Sequence, residues 1–391
     1  MIFSAPPVSA SDAAVLALID AQKDRLRIYT EHNPKRWFGS LRRSTFARAI
    51  RGSNSIEGYN ASIDEAVAAI ENEPMDERTE TQLAIRGYRD ALTYIVQASQ
   101  DSYFDFGKQF LKSIHFMMVG FDMSKQPGQW RPGSIFVVNA RSGETVYEGP
   151  DAELVDGLIE ELVESIKQSS GTHPVVQAAM AHLNLTMIHP FRDGNGRMAR
   201  ALQTLVLARG GTLSPVFSSI EEWLGANTEE YYNVLALTGQ DRWNPSRDAT
   251  AWVRFCLKGH YQQAATLIRR NEVYEKLYNG IQDITEPLKL PERVNVPLFN
   301  AALGLRVTNS RYRTDTDLSD FAASRDLKRL VDLHLLEAKG ERRGRTYLAA
   351  PQLVQLHHSV RIQRPLEDPY QVVERRAKAA QSESEPRLPG F

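Results

Sequence analysis

The chain has 391 residues, more than one typical domain, so two or three structural units are expected. Hydrophobic residues make up 42% and charged residues 24%, and the formal net charge of -1 excludes a surface that attracts nucleic acid everywhere. The one cysteine, Cys256, excludes an intrachain disulfide and a cysteine-built metal site. With no signal-peptide pattern and no run of about 18 apolar residues, the sequence predicts a cytoplasmic protein without membrane contact.

The first hundred residues are predicted to form a group of helices, because apolar residues recur there at helical spacing. Four helices are predicted. The first begins at a cap on Ser11, and the second covers 40–58. The third runs from a capping box at Ser62–Glu65 to about Glu71, and the fourth runs from about Glu77 to Ala98. Gly58 is a plausible stop for the second of them. These helices define a predicted N-terminal unit over 1–100.

The next segment, 101–262, is predicted to be a helical core interrupted by one β-hairpin. In "SIFVVNARSGETVY" the β-rich runs 135–138 and 145–147 flank a Ser-Gly turn. Further along, two apolar stripes over 176–187 and 198–205 predict two buried helices. The polar residues between those stripes therefore lie in a loop that joins two core helices.

Three further segments are predicted after the core. A charged helical linker covers 263–293, and a helix, a short turn and a β-hairpin over 294–365 indicate a winged helix-turn-helix. The last residues, 366–391, are small, polar and proline-bearing, which predicts a disordered tail. The fold class expected from the whole pattern is mainly α.

The loop "IHPFRDGNGRMAR", Ile188 to Arg200, has the composition of an anion site. Gly194 and Gly196, on either side of Asn195, let backbone N–H groups face a ligand at the start of a helix, where the helix dipole is positive. Arg197 and Arg200 lie three residues apart on the new helix, so both guanidinium groups can reach the same phosphate chain. The sequence therefore predicts a phosphate site here.

Two residues of the same loop add chemistry to that site. Asp193 offers a hard oxygen ligand beside the phosphates, as Mg²⁺ requires. His189 can accept a proton near neutral pH. Each feature alone is more often a turn or a helix cap, but about eight specified positions match together by chance less than about once in a billion segments.

These residues resemble the Fic family motif, His-x-Phe-x-(Asp/Glu)-Gly-Asn-Gly-Arg-x-x-Arg, at every position. The resemblance implies a mostly helical Fic core and transfer of AMP from ATP to a protein hydroxyl. It assigns deprotonation of the hydroxyl to His189, Mg²⁺ binding to Asp193, and a phosphate cradle to Asn195 with the Gly194 and Gly196 amides. It assigns the β- and γ-phosphates to Arg197 and Arg200.

Two other segments are similar to parts of Fic proteins. The hairpin lies where a flap in that family holds the target protein by strand addition; this role is favoured over the alternative, a hairpin that only packs on the core. The segment "NTEEYYNVLAL" resembles the part that closes the adenine pocket, so Tyr231 or Tyr232 is expected at the base, with core packing as the equal alternative. Gly239 stands where some relatives carry an adenine-facing Asn, which leaves the choice of base open.

A third resemblance predicts an internal brake. "SNSIEG", Ser53 to Gly58, matches the Fic inhibitory pattern (Ser/Thr)-x-x-x-Glu-(Gly/Asn). The resemblance implies that Glu57 pairs with Arg200 and takes this arginine away from the γ-phosphate. In some relatives the same glutamate positions a water that removes AMP, so reversal of the modification is a further possibility.

The predicted C-terminal unit carries basic residues that suit either DNA or a protein partner. They are Arg325, Lys328 and Arg329 on the second helix and Lys339, Arg342, Arg343 and Arg345 on the wing. Glu337 and Glu341 dilute this charge, so protein contact is favoured over DNA.

The function expected from the sequence is a cytoplasmic protein adenylyltransferase that uses ATP and Mg²⁺ and is autoinhibited by Glu57. Its expected partners are target proteins on the flap, with self-modification and a homodimer as further possibilities. The alternatives are removal of AMP, transfer of another nucleotide, or a DNA-binding regulator whose Fic domain only senses nucleotide.

Overall fold

A computed structural model of the chain describes residues 1–29, 36–73, 79–138, 143–168, 171–211, 214–341 and 345–384. Within these ranges the protein is mainly helical, as predicted, and its strands form only two small antiparallel sheets. The helices are α1 (Ala10–Arg27), α2 (Phe38–Ile56), α3 (Ile63–Ile70), α4 (Glu80–Ala98), α5 (Lys108–Val119), α6 (Val155–Lys167), α7 (Pro174–Ile188), α8 (Asn195–Arg209), α9 (Pro215–Ser218), α10 (Glu221–Ala226), α11 (Thr228–Gly239), α12 (Thr250–Thr285), α13 (Asn295–Ala302), α14 (Asn309–Thr316), α15 (Asp320–Asp332), α16 (Pro351–Ser359) and α17 (Pro369–Ser384). The strands are β1 (Phe136–Val138), β2 (Thr145–Glu148), β3 (Leu336–Lys339) and β4 (Thr346–Ala349). No helix in the described part of the chain has the length and apolar content needed to cross a bilayer.

The core is built on α7 and α8, which are buried along nearly their whole length. A helix that is apolar on all sides must be surrounded by other elements, and α4, α5, α6 and α12 pack around this pair. Trp252 of α12 donates a hydrogen bond from its indole N–H to the Ala179 carbonyl of α7, at 2.7 Å. The loop between α7 and α8 is therefore held by a rigid helical frame.

The helix starts in the N-terminal unit follow local capping chemistry. The capping box predicted at Ser62 and Glu65 is confirmed, but the cap predicted at Ser11 is wrong. Ser9 caps α1 instead, because its hydroxyl accepts a bond from the Asp12 amide while the Asp12 carboxylate accepts one from the Ser9 amide. The start predicted near Glu77 lies outside the described residues, and α4 begins at Glu80.

The predicted β-hairpin is confirmed as strands β1 and β2, whose tip over 139–142 lies outside the described residues. The Tyr147 hydroxyl donates to the Met187 carbonyl at 2.7 Å, which fixes β2 beside the end of α7. The far edge of β2 is covered, since Glu148 forms a bridge with Arg242. The edge of β1 has no strand beside it among the described residues.

The predicted boundary between core and linker at 262/263 is wrong, because α12 runs without a break over 36 residues, Thr250–Thr285. The charged residues that suggested a linker are half-buried or exposed on this helix, while buried residues continue along it to Thr285. Beyond it lie α13 and α14, and the predicted helix, turn and β-hairpin then follow as α15, β3 and β4. Classification of this unit as a winged helix stays a prediction.

The disordered tail predicted for 366–391 is wrong for the part that the structure describes, since residues 369–384 form α17. This helix packs on α1 and α12 near its start. The Tyr370 hydroxyl donates to Asp12 Oδ1 at 2.9 Å, and Val372 is buried. These contacts anchor a segment whose composition alone suggested no packing, and 385–391 lie outside the described residues.

Helix α2 connects the C-terminal unit with the core. Near its start, Arg43 forms an ion pair with Asp315 of α14 at 2.6 Å. Near its end, α2 touches α10 backbone to backbone, and a methyl group on Gly225 would lie 2.7 Å from the Gly52 Cα. Only glycine allows this approach. The last turn of α2 is consequently pressed against the core next to α8.

Candidate active site

The loop between α7 and α8 turns on two residues in the left-handed region. His189 ends α7 with φ 51° and Gly194 precedes α8 with φ 76°. Glycine takes this conformation freely, whereas a histidine there costs on the order of 1 kcal/mol and needs support from its surroundings. Arg131 gives that support, because its buried guanidinium donates from Nε to the His189 carbonyl at 2.9 Å.

Asn195 and Phe191 hold the loop closed. The Asn195 side chain accepts a hydrogen bond from the Phe191 amide at 2.9 Å and donates one to the Phe191 carbonyl at 2.8 Å. Phe191 is fully buried and stacks on His115 with ring centroids 3.7 Å apart. Because its side chain is committed to the loop, Asn195 can serve the predicted phosphate cradle only through its backbone amide.

The amides of the cradle lie in the first turn of α8, where N–H groups have no partner within the helix. The Gly194 amide is already used, since it donates to Asp193 Oδ1 at 2.6 Å. Gly196 needs to be glycine for a different reason than Gly194. A methyl group on Gly196 would overlap Glu57 Oε1, so this carboxylate lies directly over the start of α8. Glu57 thus places negative charge where the helix dipole attracts an anion.

His189 has the tautomer that a general base needs. Its Nδ1 lies 3.2 Å from the Thr186 carbonyl, which can only accept, so Nδ1 carries the proton and Nε2 is the free acceptor. Burial, with a smaller contribution from the charge of Arg131, lowers the pKa of His189 to about 4 against the opposing effect of the Thr186 carbonyl. The imidazole is therefore neutral at pH 7.

Arg200 is completely buried and is held by two of the three predicted inhibitory residues. Its Nε donates to the Ser53 hydroxyl at 2.7 Å, its Nη2 donates to the Ser53 carbonyl at 3.0 Å, and Nη2 also lies 2.6 Å from Glu57 Oε1. Burial would lower the pKa of Arg200, but the Glu57 charge outweighs it and raises this pKa above its ordinary value. Gly58 follows with φ 85° and ends the helix, as predicted. The predicted Glu57–Arg200 contact is present.

Arg197 is the other arginine of the motif; it is buried, and it forms no ion pair at salt-bridge distance with a carboxylate in the described ranges. Among the described residues, its Nε and Nη1 atoms have no hydrogen-bond partner. Its guanidinium lies 5.1 Å from the centre of the Tyr59 ring, one residue beyond Gly58. A buried cation with unpaired donors is costly, so this geometry favours an incoming anion.

Asp193, the predicted Mg²⁺ ligand, faces Lys125, whose Nζ lies 3.1 Å from Asp193 Oδ2. Burial raises the pKa of Asp193, but the hydrogen bond from Lys125 and the charge of Arg197 outweigh it and lower this pKa. No group of three or more His, Cys, Asp or Glu in the described ranges could hold a metal. A single ionised carboxylate fits Mg²⁺ only if phosphate oxygens and waters complete the shell.

The two candidate adenine contacts lie in different environments. Tyr231 is buried, and its hydroxyl lies 3.0 Å from His182 Nε2, so it packs in the core. Tyr232 is half exposed, and its hydroxyl donates to the Ile56 carbonyl at 3.2 Å, next to Glu57. A side chain at Gly239 would meet the Met187 sulfur, so the position of the adenine-facing Asn is closed here. Only Tyr232 retains a free surface.

Four residues that contact the motif were not predicted from the sequence. Lys125 neutralises Asp193, Tyr59 lies against Arg197, Arg131 holds the His189 carbonyl, and His115 stacks on Phe191. Each comes from another element and carries no local signal of its partner. The Pro and Gly residues around Arg131 in "GQWRPG" mark a turn there, but not its contact with the loop.

Comparison with known proteins finds a family match for the segment that carries the motif loop. Residues 103–207 match the model of the Fic/DOC family. "Protein adenylyltransferase Fic" of Drosophila sechellia is 30% identical over 262 residues, covering 64% of this chain and 48% of that protein, and the Drosophila yakuba protein is 31% identical, covering 64% and 47%. The chain thus spans about half the length of the curated relatives it matches.

Solved structures agree on the fold. A Fic family protein from Desulfovibrio desulfuricans G20 aligns with a TM-score of 0.57 and 20% identity, covering 88% of this chain and 98% of that one. Fic-1 from C. elegans aligns with a TM-score of 0.52 and 21% identity, covering 67% and 73%. The chain therefore contains a segment of the Fic/DOC family, residues 103–207, and the motif loop lies within it.

Proposed function

We propose that the chain is a protein adenylyltransferase that transfers AMP from ATP to a Ser, Thr or Tyr hydroxyl of a protein. The observation that carries the proposal is the pair of buried guanidinium groups, Arg197 and Arg200, at the start of α8. One of them has unpaired donors and the other is held by a displaceable carboxylate. The curated relatives are named as adenylyltransferases, which supports the same reaction.

The reaction needs one proton transfer and strong charge neutralisation. The target oxygen attacks the α-phosphorus, the bond to the bridging oxygen breaks, and pyrophosphate leaves. His189 Nε2 takes the proton of the attacking hydroxyl, since this nitrogen is unprotonated at neutral pH. Arg197, Arg200 and the first-turn amides of α8 stabilise the charge on the leaving phosphates.

Asp193 is the residue that would hold Mg²⁺. When bound, the metal supplies positive charge to the phosphate oxygens. In the structure, the ammonium group of Lys125 forms an ion pair with this carboxylate. We expect Lys125 to keep Asp193 ionised and oriented before the nucleotide arrives.

The target chain is expected to add to the edge of β1. This strand is the outer one of the hairpin, and β2 is fixed to α7 by Tyr147 just before His189. Strand addition supplies backbone hydrogen bonds without demanding a particular side chain. Phe136 and Val138 are exposed on β1 and offer apolar contacts to the added strand.

Glu57 is proposed to inhibit this reaction. It neutralises Arg200 and lies over Gly196, so it blocks one arginine and the anion position at the start of α8. An ion pair with charges about 4 Å apart is worth on the order of 4 kcal/mol at an effective dielectric constant of 20, before desolvation is subtracted. A triphosphate has to displace this carboxylate in order to reach Arg200.

Transfer from α-labelled ATP tests the proposal. The purified Glu57→Gly chain, incubated with Mg²⁺ and ATP labelled on the α-phosphate, is expected to label itself strongly, the wild type weakly and Glu57→Gly/His189→Ala not at all. Label from γ-labelled ATP must stay off the protein, since AMP is the group transferred. If Glu57→Gly acquires no α-label on itself or on lysate proteins, the proposed transfer is wrong.

A regulator that binds DNA is the second candidate. Arg325, Lys328 and Arg329 are all exposed on α15, which favours it, although Arg342 and Arg343 lie outside the described residues. A gel shift that weakens as salt rises would support it. Loss of label from purified modified protein on addition of the wild-type chain would support AMP removal instead.

A further inference from the structure

A basic cleft lies away from the motif loop, between α2, α12 and the segment after α16. Its volume is about 510 Å³, its charged lining comes from Arg48, Arg269, Arg270 and Arg361, and His357 adds an imidazole to the wall. Apolar side chains, among them Val273 and Leu303, form another part of the wall. None of these residues contributes to the adenylyltransferase proposal.

The positive charge of the cleft is poorly compensated. Glu222 is the acid that its arginines contact: Arg270 Nη2 lies 2.6 Å from Glu222 Oε1 and Arg48 Nη1 lies 3.8 Å from the same oxygen. Arg269 donates instead to the carbonyls of Arg364 and Pro365. In the described part of the chain, Glu222 is thus the one carboxylate paired with these four arginines, through Arg48 and Arg270, which leaves an excess of three positive charges.

Arg48 is the residue that most needs a further partner. Its Nε is buried and has no hydrogen-bond acceptor among the described residues. Burial, together with the charge of Arg270, lowers the pKa of Arg48. Folding has therefore brought an arginine into repulsive surroundings, a cost that an anion in the cleft would offset.

We propose that this cleft binds a small anion that carries two or more phosphate groups. Guanidinium groups pair with phosphate through two parallel N–H···O bonds, and the arginines come from three different elements around the opening. A single phosphate cannot pair with all of them, whereas a polyphosphate reaches several. Binding here is independent of the motif, since the two sites share no residue.

Calorimetric titration of the full-length chain with inorganic tripolyphosphate, at 150 mM salt and without Mg²⁺, tests the proposal. Arg48→Gln and Arg361→Gln are each expected to weaken binding about tenfold, the typical effect of losing a charge-assisted hydrogen bond. Arg42→Gln is the matched control, because it removes the same charge from an exposed position on α2. This variant should bind within about twofold of the wild type.

The motif loop is itself proposed to bind phosphate, so the titrations are repeated in an Arg197→Gln background, where binding to the cleft and its weakening by Arg48→Gln should both persist. A parallel titration of Arg197→Gln with ATP shows whether the natural ligand is a free polyphosphate or a nucleotide. If ATP binds more tightly than tripolyphosphate, the nucleoside contacts the apolar wall of the cleft. Three results would overturn the proposal: absence of binding at millimolar tripolyphosphate, loss of binding in Arg197→Gln alone, or binding of duplex DNA without binding of tripolyphosphate.

Discussion

The inhibitory contact can be measured by replacing Glu57 with glutamine, which keeps the size of the side chain and removes its charge. The comparison is made in a His189→Ala background, so that binding is measured without turnover. Glu57 lies 2.6 Å from Arg200 Nη2, and one quarter of its side chain is exposed while that of Arg200 is completely buried. Removal of the charge should therefore free Arg200 for a phosphate.

The magnitude follows from the geometry of this pair. The Coulomb term is on the order of 4 kcal/mol, and the partial exposure of Glu57 and the cost of desolvation reduce it. Glutamine retains a neutral hydrogen bond worth about 1 kcal/mol. The difference, roughly 1.5–3 kcal/mol, corresponds to an increase of about 10- to 150-fold in affinity for ATP.

Isothermal titration with Mg²⁺–ATP is the assay, and Glu229→Gln in the same background is the control. Glu229 is an exposed glutamate of α11, so its replacement removes one negative charge from the surface without touching Arg200. We expect the control to change affinity by less than about twofold. Equal effects of the two replacements, or no effect of Glu57→Gln, would show that the contact does not oppose nucleotide binding.

Two further predictions concern stability. Burial lowers the pKa of His115 and His189 to about 4 and that of His182 to about 3, so the unfolded chain takes up protons first as pH falls below about 6.5. The free energy of unfolding should therefore decrease between pH 6.5 and about 4, and equal urea midpoints at pH 7 and pH 5 would contradict this. Arg311→Met should destabilise the chain by about 3 kcal/mol, because it removes the buried guanidinium that pairs with three acids, Asp64, Glu71 and Glu73, and leaves them only the more exposed Arg43 and Arg306 as ion-pair partners in the described ranges. Arg313→Met, on the exposed side of the same helix, should cost less than about 1 kcal/mol in urea unfolding.

The parts of the fold that could be predicted are those with local causes. The capping box at Ser62 and the hairpin around 135–147 each depend on residues a few positions apart, and both are present. The cap of α1 was misplaced by two residues, because Ser9 and Ser11 are equally good caps and only the position of Asp12 decides between them. Composition does not distinguish these two serines, whereas the reciprocal hydrogen bonds between Ser9 and Asp12 do.

The tail and the linker were misjudged for a different reason. Both are rich in charged and small residues, which resemble solvent-exposed chain. In the structure, Tyr370, Val372 and Val373 anchor the first turn of α17 on the core. The second half of α12 keeps a buried stripe under a charged surface. A few buried contacts decide order in such segments, and average composition does not report them.

The site shows the same division between local and distant causes. The motif placed His189, Asp193 and the two arginines together because a dozen residues carry them all, but Lys125 reaches Asp193 across 68 positions of the chain, a contact that packing alone creates. The contact between Glu57 and Arg200 spans 143 positions, and it was predicted only because both ends belong to recognisable motifs. Its geometry depends on the glycine contact between α2 and α10, which brings the last turn of α2 against α8. A larger residue at Gly52 would therefore displace Glu57, although neither Glu57 nor Arg200 would itself be substituted.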